Sequence, residues 1–419
     1  MYAYTCSDKG GLKRTMAGMK RGKNVSKRKI HWQKYAEYFL WCLVAVYAGA
    51  CLYLYYMQSI QPLDYDNRFF QSDLPYHISM IIDDGWYYSF TAYAYQLLYF
   101  LGGGSICLIP VFLTAITVWT VLLTEKLLRK IMNRQGRDIQ TLSGALLLNM
   151  VMPFFLEWAG RYRYVSYQSG NLWHNSTYLC MRLFAVASLL CYFEIEKDYR
   201  EHIDLKKWLL FAGMLIITTG IKPSFLTVFA PALALKLLYD LFCKVPFKQI
   251  FVFGCSVLPA CVVVLWQNAV LFGEETGQGF AFRPWFTFSL HADRPKAAVL
   301  ASLAFPLVIL AFSVKELLRD KNYFFAWLMT GIGFLEALLL AETGSRSNDG
   351  NFLWGYCFAL FYIYVVSFGK WLVLAKKTEH ARLYKILFVM AGAVLLYQLY
   401  GGIYFFIRLL AGETYFMLY

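Results

Sequence analysis

Residues 208–241 read WLLFAGMLIITTGIKPSFLTVFAPALALKLLYDL, and this stretch decides the topology of the chain. It is apolar except near its middle, where Lys222 and Pro223 interrupt the run. Its first part is short, because a helix needs about 20 apolar residues to cross a hydrocarbon layer of about 30 Å. The stretch is therefore either one interrupted membrane span or two helices that meet at the outer face of a membrane.

The distribution of Lys and Arg separates these two alternatives. Membrane proteins retain Lys and Arg in their short cytoplasmic loops. With two helices, most of the 40 Lys and Arg residues fall in the cytoplasmic segments 1–34, 125–139, 194–207, 243–248, 315–322 and 375–384. A single span would reverse every later loop and would place outside Lys315, Arg319, Lys321, Lys376, Lys377 and Arg382. The sequence therefore predicts two helices.

The composition is that of an integral membrane protein. The 419 residues are 59% hydrophobic and 16% charged, which excludes an ordinary soluble domain. Apolar windows predict about eleven transmembrane helices, near 35–57, 105–124, 140–157, 177–193, 208–221, 224–242, 249–272, 298–314, 323–341, 352–374 and 385–408. We expect an all-α polytopic protein with a basic cytoplasmic tail at 1–34 and a single transmembrane domain at 35–419.

The net charge of +14 indicates topology and contact with anionic membrane lipid. The tail segment KRGKNVSKRK (20–29) precedes a span and has no interleaved aromatic residues, so no nucleic-acid partner is predicted. The cysteines lie mostly inside or beside apolar spans, as small buried residues do. Their spacing predicts neither a metal site nor a disulfide framework.

The first external loop, residues 58–104, is acidic in an otherwise basic protein. It carries a single base, Arg68, against Asp64, Asp66, Asp73, Asp83 and Asp84. SDLPYHISMII (72–82) predicts a short helix that begins at Ser72 or Asp73 and has Pro in its first turn. YYSFTAYAYQLLYFL (87–101) predicts a second, amphipathic helix. We expect both helices to lie on the membrane surface.

The remaining external loops carry cationic groups among aromatic residues. Residues 159–177 contain Arg161, Arg163 and His174; residues 273–296 contain Arg283, His291, Arg294 and Lys296; and residues 342–351 contain Glu342, Arg346 and Asp349. Arg and His suit a phosphate on a lipid, and a sugar would stack on Trp and Tyr. A carboxylate of the first loop would then be available as an acid or base.

This organisation resembles the GT-C superfamily of membrane glycosyltransferases. The resemblance lies in SDLPYH (72–77) followed by GWYYSFTAYAYQLLY (85–99), after a first span. It implies a cytoplasmic N-terminus and two membrane-surface helices with a catalytic acid in the first external loop. It also implies an enzyme that transfers a sugar, with inversion, from a polyprenyl-phosphate donor to a hydroxyl of a lipid-linked or cell-surface glycan on the outer face. Family members often have an Asp-Glu pair in this loop, and this loop has no Glu.

Asp73 is the first candidate for the general base. His77 follows it by four residues, so the two could share a helix face and His77 could orient the carboxylate. Asp66 is the second candidate. Asp64 is the third, and it is also a candidate for substrate binding. Asp73 could instead cap its helix, and the other two could be solvated. No metal or other cofactor is predicted, although two of these carboxylates could hold Mg²⁺ or Mn²⁺.

Six cationic or imidazole side chains are the candidates for substrate binding: His174, Arg182, Lys222, Arg283, His291 and Arg346. Five of them have a simpler alternative. Lys222 could reach the membrane interface, Arg182 could form a structural ion pair, and Arg346 could be solvated. Arg283 and His291 could belong to a membrane-surface belt, and Glu336 is either a buried partner for a cation or a functional acid.

A flippase or secondary transporter of a lipid-linked or small anionic substrate is the main alternative function. Transporters often contain broken helices with charges near the membrane midplane, in two halves that repeat. The break at Lys222 and Pro223 fits that pattern, but the sequence has no matching break in a second half and no internal repeat. The expected partners of the enzyme are a polyprenyl-phosphate sugar, a glycan acceptor and membrane lipid.

Overall fold

The computed structural model describes residues 10–63, 69–151, 171–272, 279–290, 292–317, 319–375 and 382–413. Nearly all regular structure in them is helical, with one pair of short strands. The elements are α1 (Gly10–Ser59), α2 (Leu74–Ile82), α3 (Phe90–Leu101), α4 (Leu108–Ile131), α5 (Ile139–Met150), α6 (Ser176–Glu196), α7 (Leu205–Ile221), α8 (Ser224–Phe242), α9 (Phe247–Cys255), α10 (Leu258–Phe272), β1 (Gly279–Phe282), α11 (Phe286–Ser289), α12 (Pro295–Ser302), α13 (Ala304–Leu317), α14 (Lys321–Leu339), β2 (Leu340–Thr343), α15 (Leu353–Leu374) and α16 (Arg382–Leu410).

Eight helical segments in the described residues are long and apolar enough to cross a membrane, and the bent pair α12 and α13 could be a ninth. The eight are Gln33–Ser59, Leu108–Ile131, Ser176–Glu196, Ser224–Phe242, Phe247–Leu271, Lys321–Leu339, Leu353–Leu374 and Arg382–Leu410. The other two predicted windows are the shorter helices α5 and α7, of 12 and 17 residues. An all-α, multi-pass membrane protein is thus confirmed, and the count of eleven spans stays a prediction.

The stretch 208–241 forms two helices, as predicted. α7 ends at Ile221, and Lys222 is extended, with φ −157° and ψ 124°. The residue before a proline is disfavoured in the helical region, which explains why the first helix ends there. Pro223 then begins α8. The side chain of Gln267 donates to the carbonyl of Gly220 at 2.9 Å and so satisfies one backbone group at the broken end.

Two helices of the predicted kind follow the first span. Asp73 is the N-cap residue of α2, yet its side chain makes no capping hydrogen bond, and the hydroxyl of Ser72 accepts from the Leu74 amide at 3.3 Å instead. In α3 the Ser89 hydroxyl accepts from the Ala92 amide at 3.2 Å. The carboxylate of Asp73 is therefore not used to begin its helix.

α3 exposes three large apolar side chains near its C-terminal end, whereas its first residue faces the bundle. Leu97, Phe100 and Leu101 are exposed, as in an amphipathic surface helix, but Phe90 packs against α7. A Cβ at Gly220 would lie 2.4 Å from the Phe90 ring, so only glycine allows this approach. The contact fixes the first loop against the helix that ends beside Lys222.

A short antiparallel pair joins two distant loops. β1 pairs with β2, with Phe280 opposite Glu342 and Phe282 opposite Leu340. β2 continues directly from α14, and it leads through a turn at Gly344–Arg346 to α15. α15 is buried along most of its length and packs against α14. The strand pair therefore holds the 342–351 loop at the end of the most buried helix.

An ionic network closes the C-terminal end of α8. Asp240 is 2% exposed and accepts from Arg200 Nη2 at 2.6 Å and from the Tyr199 hydroxyl. Lys236 Nζ lies 2.8 Å from the same carboxylate and 3.7 Å from Glu196. Glu196 also pairs with Lys321 at the start of α14. The network ties α6, α8 and α14 together at one end of the bundle.

Candidate functional site

The candidate site lies where four interruptions of the helical structure meet. They are the start of α2, the turn before α6, the break between α7 and α8, and the loop between β2 and α15. The first two are joined by the Asp73 amide, which donates to the His174 carbonyl at 3.1 Å. Side chains at such interruptions can point into a shared cleft, because helix geometry no longer directs them.

Asp73 is held on one side and accessible on the other. Asn175 Nδ2 donates to Asp73 Oδ2 at 2.6 Å, and His174 Nε2 lies 3.3 Å from the same oxygen. The side chain of Asp73 nevertheless remains 36% exposed. Burial alone would raise its pKa, but His174, His77, Asn175 and Lys222 hold the pKa below the ordinary value. Asp73 is therefore ionised at neutral pH.

The His77 ring does not hydrogen-bond the Asp73 carboxylate, which corrects the expected pairing; only the His77 backbone amide donates to the Asp73 carbonyl, at 2.9 Å. Its Nδ1 lies 3.1 Å from the Ser176 hydroxyl at the start of α6. Burial lowers the pKa of His77 to about 4, against the opposing effect of Asp73, so the ring is neutral at pH 7. The Asp73 carboxylate turns toward the N-terminus of α6. It is therefore contacted by His174 and Asn175, which directly precede that helix.

Lys222 lies beside an aromatic wall that is formed by Trp354 and Tyr178. Its Nζ is 4.9 Å from the ring centroid of Trp354, and Trp354 also stacks with His174 (centroids 6.4 Å apart) and contacts Tyr178 at 5.0 Å. Burial lowers the pKa of Lys222 to about 8, although Asp73 acts in the opposite direction. The ammonium group is thus costly to keep charged, and an anion bound beside it would stabilise the charge.

β2 and the loop after it bring a second cation and two further acids. Arg346 Nε lies 3.1 Å from Asp349 Oδ2. The Asn351 side chain donates to the Glu342 carboxylate, at 3.0 and 2.9 Å from its two oxygens. Lys222 is within the electrostatic range of Arg346, Glu342 and Asp349. The cations of the two loops therefore form one cluster with Asp73.

The structure brings together five of the sequence-predicted residues: Asp73, His77, His174, Lys222 and Arg346. Arg182 is fully buried in α6, with its guanidinium 3.6 Å from the Phe361 ring centroid. Arg283 is exposed beside Phe286, 5.3 Å from the ring centroid. The remaining predicted residues, Asp64, Asp66 and His291, lie outside the described residues.

Other predicted details fall away from the cluster. Glu336 accepts from the Thr227 hydroxyl at 3.1 Å, between α14 and α8. Asp83 and Asp84 precede Gly85, which has φ +69°, and their amides both donate to the Ser79 carbonyl, so they form a turn after α2. Asn175 caps α6, because its Oδ1 accepts from the Tyr178 amide at 2.8 Å.

Sequence reasoning missed four contributors to the site. Asn175 caps α6 with its amide oxygen, and its amide nitrogen also holds Asp73. Trp354, Glu342 and Asn351 were not assigned to the site, although all three lie in or just after the predicted 342–351 loop. A cap residue directly after a candidate histidine, and a Trp that begins a buried helix beside a cationic loop, are the signals that could have found them.

No group of three or more His, Cys, Asp or Glu side chains that could hold a metal ion occurs in the described ranges. Asp64 and Asp66, which were considered as ligands, are not in those ranges. No protein-family model matches the sequence, and no curated protein sequence matches it either.

Proposed function

We propose that the protein is a membrane glycosyltransferase. It transfers a sugar from a polyprenyl-phosphate donor to a hydroxyl of a lipid-linked or cell-surface glycan, on the extracytoplasmic face of the membrane. The observation that supports this most is the pairing of an ionised, partly exposed Asp73 with a cationic pair, Lys222 and Arg346, in one cluster. A base and an anion-binding group are the two elements that this reaction needs.

In this proposal Asp73 acts on the acceptor. Its carboxylate takes the proton of the attacking hydroxyl, while Asn175 and His174 fix its position. The hydroxyl oxygen then forms a bond to the anomeric carbon from the face opposite the phosphate, so the configuration inverts. The bond between the anomeric carbon and the phosphate oxygen breaks, and its electron pair leaves with the polyprenyl phosphate.

Lys222 and Arg346 act on the leaving group. Charge builds up on the phosphate oxygen as the bond breaks, and nearby cations stabilise it most at that moment. The pKa of Lys222, lowered to about 8 by burial, makes the gain from a bound phosphate large. The Trp354 ring lies 4.9 Å from the ammonium nitrogen and adds a cation–π contact to it.

The test is turnover by purified protein with a panel of polyprenyl-phosphate hexoses and pentoses. We expect donor-dependent release of polyprenyl phosphate that Asp73→Asn abolishes. Asp84→Asn is the matched control, because it removes the same charge from an exposed turn of the same loop. Turnover that survives Asp73→Asn but is lost in Asp66→Asn would assign the general base to Asp66 and leave the proposed reaction unchanged. Absence of turnover with every donor and acceptor pair would contradict the proposal.

One observation favours a transporter as the second candidate. α12 and α13 together are apolar enough to span a membrane but are bent by 63°, as in a broken span or re-entrant loop. Discontinuous helices of this kind line substrate paths in transporters. Movement of a polyprenyl-phosphate lipid across proteoliposome membranes, without any sugar transfer, would favour this function over the enzyme.

A further inference from the structure

Glu342 and Asn351 form a rigid polar pair at the edge of the cationic cluster. Glu342 is half-buried on β2, where the pairing of its strand with β1 fixes the backbone. The Asn351 amide lies within 3.0 Å of both carboxylate oxygens. Lys222 and Arg346 are both within electrostatic range of this carboxylate. The pair is thus part of the site although it binds no phosphate itself.

A carboxylate in this position is unfavourable for phosphate binding. Its negative charge repels the lipid phosphate that Lys222 and Arg346 would hold, and like charges placed together cost binding energy. Burial raises the pKa of Glu342, and its hydrogen bonds with Asn351 and the charge of Arg346 act against this increase. The Glu342 carboxylate therefore has a role other than phosphate binding.

Carboxylate and amide groups side by side are suited to hydroxyl groups. An ionised carboxylate has about four lone-pair positions, and the contacts from Asn351 leave part of that capacity for a ligand. The hydroxyls of a sugar ring can donate to the carboxylate and to the amide oxygen. A carboxylate on the sugar would instead meet the Glu342 charge.

We propose that Glu342 and Asn351 recognise the sugar of the donor, and that they select a neutral or amino sugar over a uronic acid. This inference rests on the proposed function. A polar site built to bind hydroxyls rejects a mismatched substituent strongly, since its buried groups are then left unpaired or repelled. Glu342 and Asn351 would thus determine the donor class, whereas Lys222 and Arg346 bind the phosphate that all donors share.

The test measures binding by full-length protein in nanodiscs of three probes: undecaprenyl phosphate, its glucosyl derivative and its glucuronosyl derivative. For Glu342→Gln we expect the affinity for the glucosyl lipid to fall about tenfold, as for a lost hydrogen bond to a charged group. The affinity for the bare lipid should change less than about twofold, and the glucuronosyl lipid should bind about tenfold more tightly.

Two further variants separate recognition from a general charge effect. Asp349→Asn removes the same charge from the same loop, and we expect it to change binding of all three lipids by one common factor. Asn351→Ala keeps the charge of Glu342 but removes the amide, so it should weaken the glucosyl lipid and leave the glucuronosyl lipid rejected.

The outcomes distinguish this inference from the proposed function. If Glu342→Gln changes all three affinities equally, or changes none, the recognition role is wrong while the transferase proposal stands. If the wild-type protein binds none of the three lipids, both proposals are wrong. The subsite would be established if Glu342→Gln and Asn351→Ala selectively lose binding of the glucosyl lipid, while Asp349→Asn changes the binding of all three lipids equally.

Discussion

Asp73 and Asp240 are two acids at opposite ends of the same bundle. Lys222 precedes α8 and lies near Asp73, whereas Asp240 lies near the other end of this 19-residue helix, about 28 Å away at 1.5 Å per residue. Asp240 is 2% exposed and accepts from Arg200, Lys236 and Tyr199. Asp73 is 36% exposed, and the Asn175 and His174 side chains contact one of its oxygens.

The difference separates a structural acid from one that can react. Asp240 receives its donors from α8 and from the turn after α6, so a ligand could reach it only by breaking a buried ion pair. Asp73 is equally well positioned, yet more than a third of its side chain can meet a ligand. An acid that is oriented, ionised and accessible is a candidate for catalysis on physical grounds.

The largest expected effect is on turnover. Asp73→Asn keeps the shape of the side chain and the contact to Asn175, but it cannot accept a proton from the acceptor. We expect kcat to fall about 10³-fold, within the range for a lost general base. Thermal unfolding in detergent should shift by no more than about 2 °C, since the side chain is partly solvated. A fall in stability that matches the loss of activity would show Asp73 to be structural.

Asp240→Asn should give the reverse result. Lys236 is 10% exposed and would lose its closest acid, which leaves a buried cation poorly compensated. We expect the free energy of unfolding to fall by about 3 kcal/mol. The kcat of the folded fraction should stay within about twofold of wild type, because the network lies about 28 Å from Lys222.

Asp198→Asn is the matched control for Asp240. Asp198 is 52% exposed and pairs with Lys207 at 3.1 Å, near the same end of the bundle. An exposed pair contributes little, so the stability should change by less than about 1 kcal/mol. Equal losses in the two variants would remove the distinction between a closed network and a surface ion pair.

Binding of the lipid phosphate should depend on pH through Lys222. Its pKa in the folded protein is about 8 and its ordinary value is 10.5, so the folded protein loses this proton first as the pH rises. Binding of undecaprenyl phosphate needs the charged form and should weaken up to tenfold per pH unit above pH 8. Between pH 8 and 10.5 the unfolded chain binds more protons, so the contribution of Lys222 to the stability of the ligand-free protein increases with pH.

Lys222→Arg tests this assignment, because Arg stays charged throughout that range. Binding by the variant should no longer weaken between pH 8 and 10. If the wild-type affinity does not decline above pH 8, Lys222 does not contact the phosphate. A decline that persists in Lys222→Arg would point to another titrating group.

The helices of the protein could be predicted from sequence better than its site. Spans are visible because lipid solvates only apolar side chains, and each backbone must complete its own hydrogen bonds. The end of α7 could be read from Lys222 and Pro223, since proline restricts the residue before it. Asp73 could be named as a candidate because it lies in the acidic loop that follows the first span.

The contacts of the site could not be predicted in the same way. His174 and Asn175 follow Asp73 by about 100 positions, and hydropathy patterns carry no information on which loop residues meet. The rule that places residues four apart on one helix face suggested His77, but Asp73 lies at the N-cap, where its side chain turns toward α6. Lys236 and Asp240 lie four apart on α8 and do pair, whereas Tyr199 and Arg200 contact Asp240 across about 40 positions that no sequence pattern connects.

A smaller effect is expected at the aromatic wall. Trp354→Leu removes the ring beside Lys222 and the stacking with His174. It leaves the charges of Lys222 and Asp73 in place. We expect KM for the donor to rise about tenfold, the size of a partly desolvated cation–π contact, with kcat within about threefold. Trp354→Phe keeps a smaller ring and should lie between the two. A large fall in kcat with unchanged KM would instead place the ring at the reacting carbon.

The smallest effect is expected at His77, which borders Asp73 without holding it. Its Nδ1 contacts the Ser176 hydroxyl, and its pKa of about 4 keeps the ring neutral between pH 6 and 8. We expect His77→Asn, which can still hydrogen-bond Ser176, to lower kcat by less than about fivefold and to leave the pH profile of kcat/KM unchanged from pH 6 to 8. His174→Asn is the comparison, because it removes the imidazole 3.3 Å from the carboxylate and should lower kcat more. If His77→Asn is the more damaging of the two, the partner of Asp73 is the helix neighbour after all, and the open end of the bundle is organised by α2 rather than by α6.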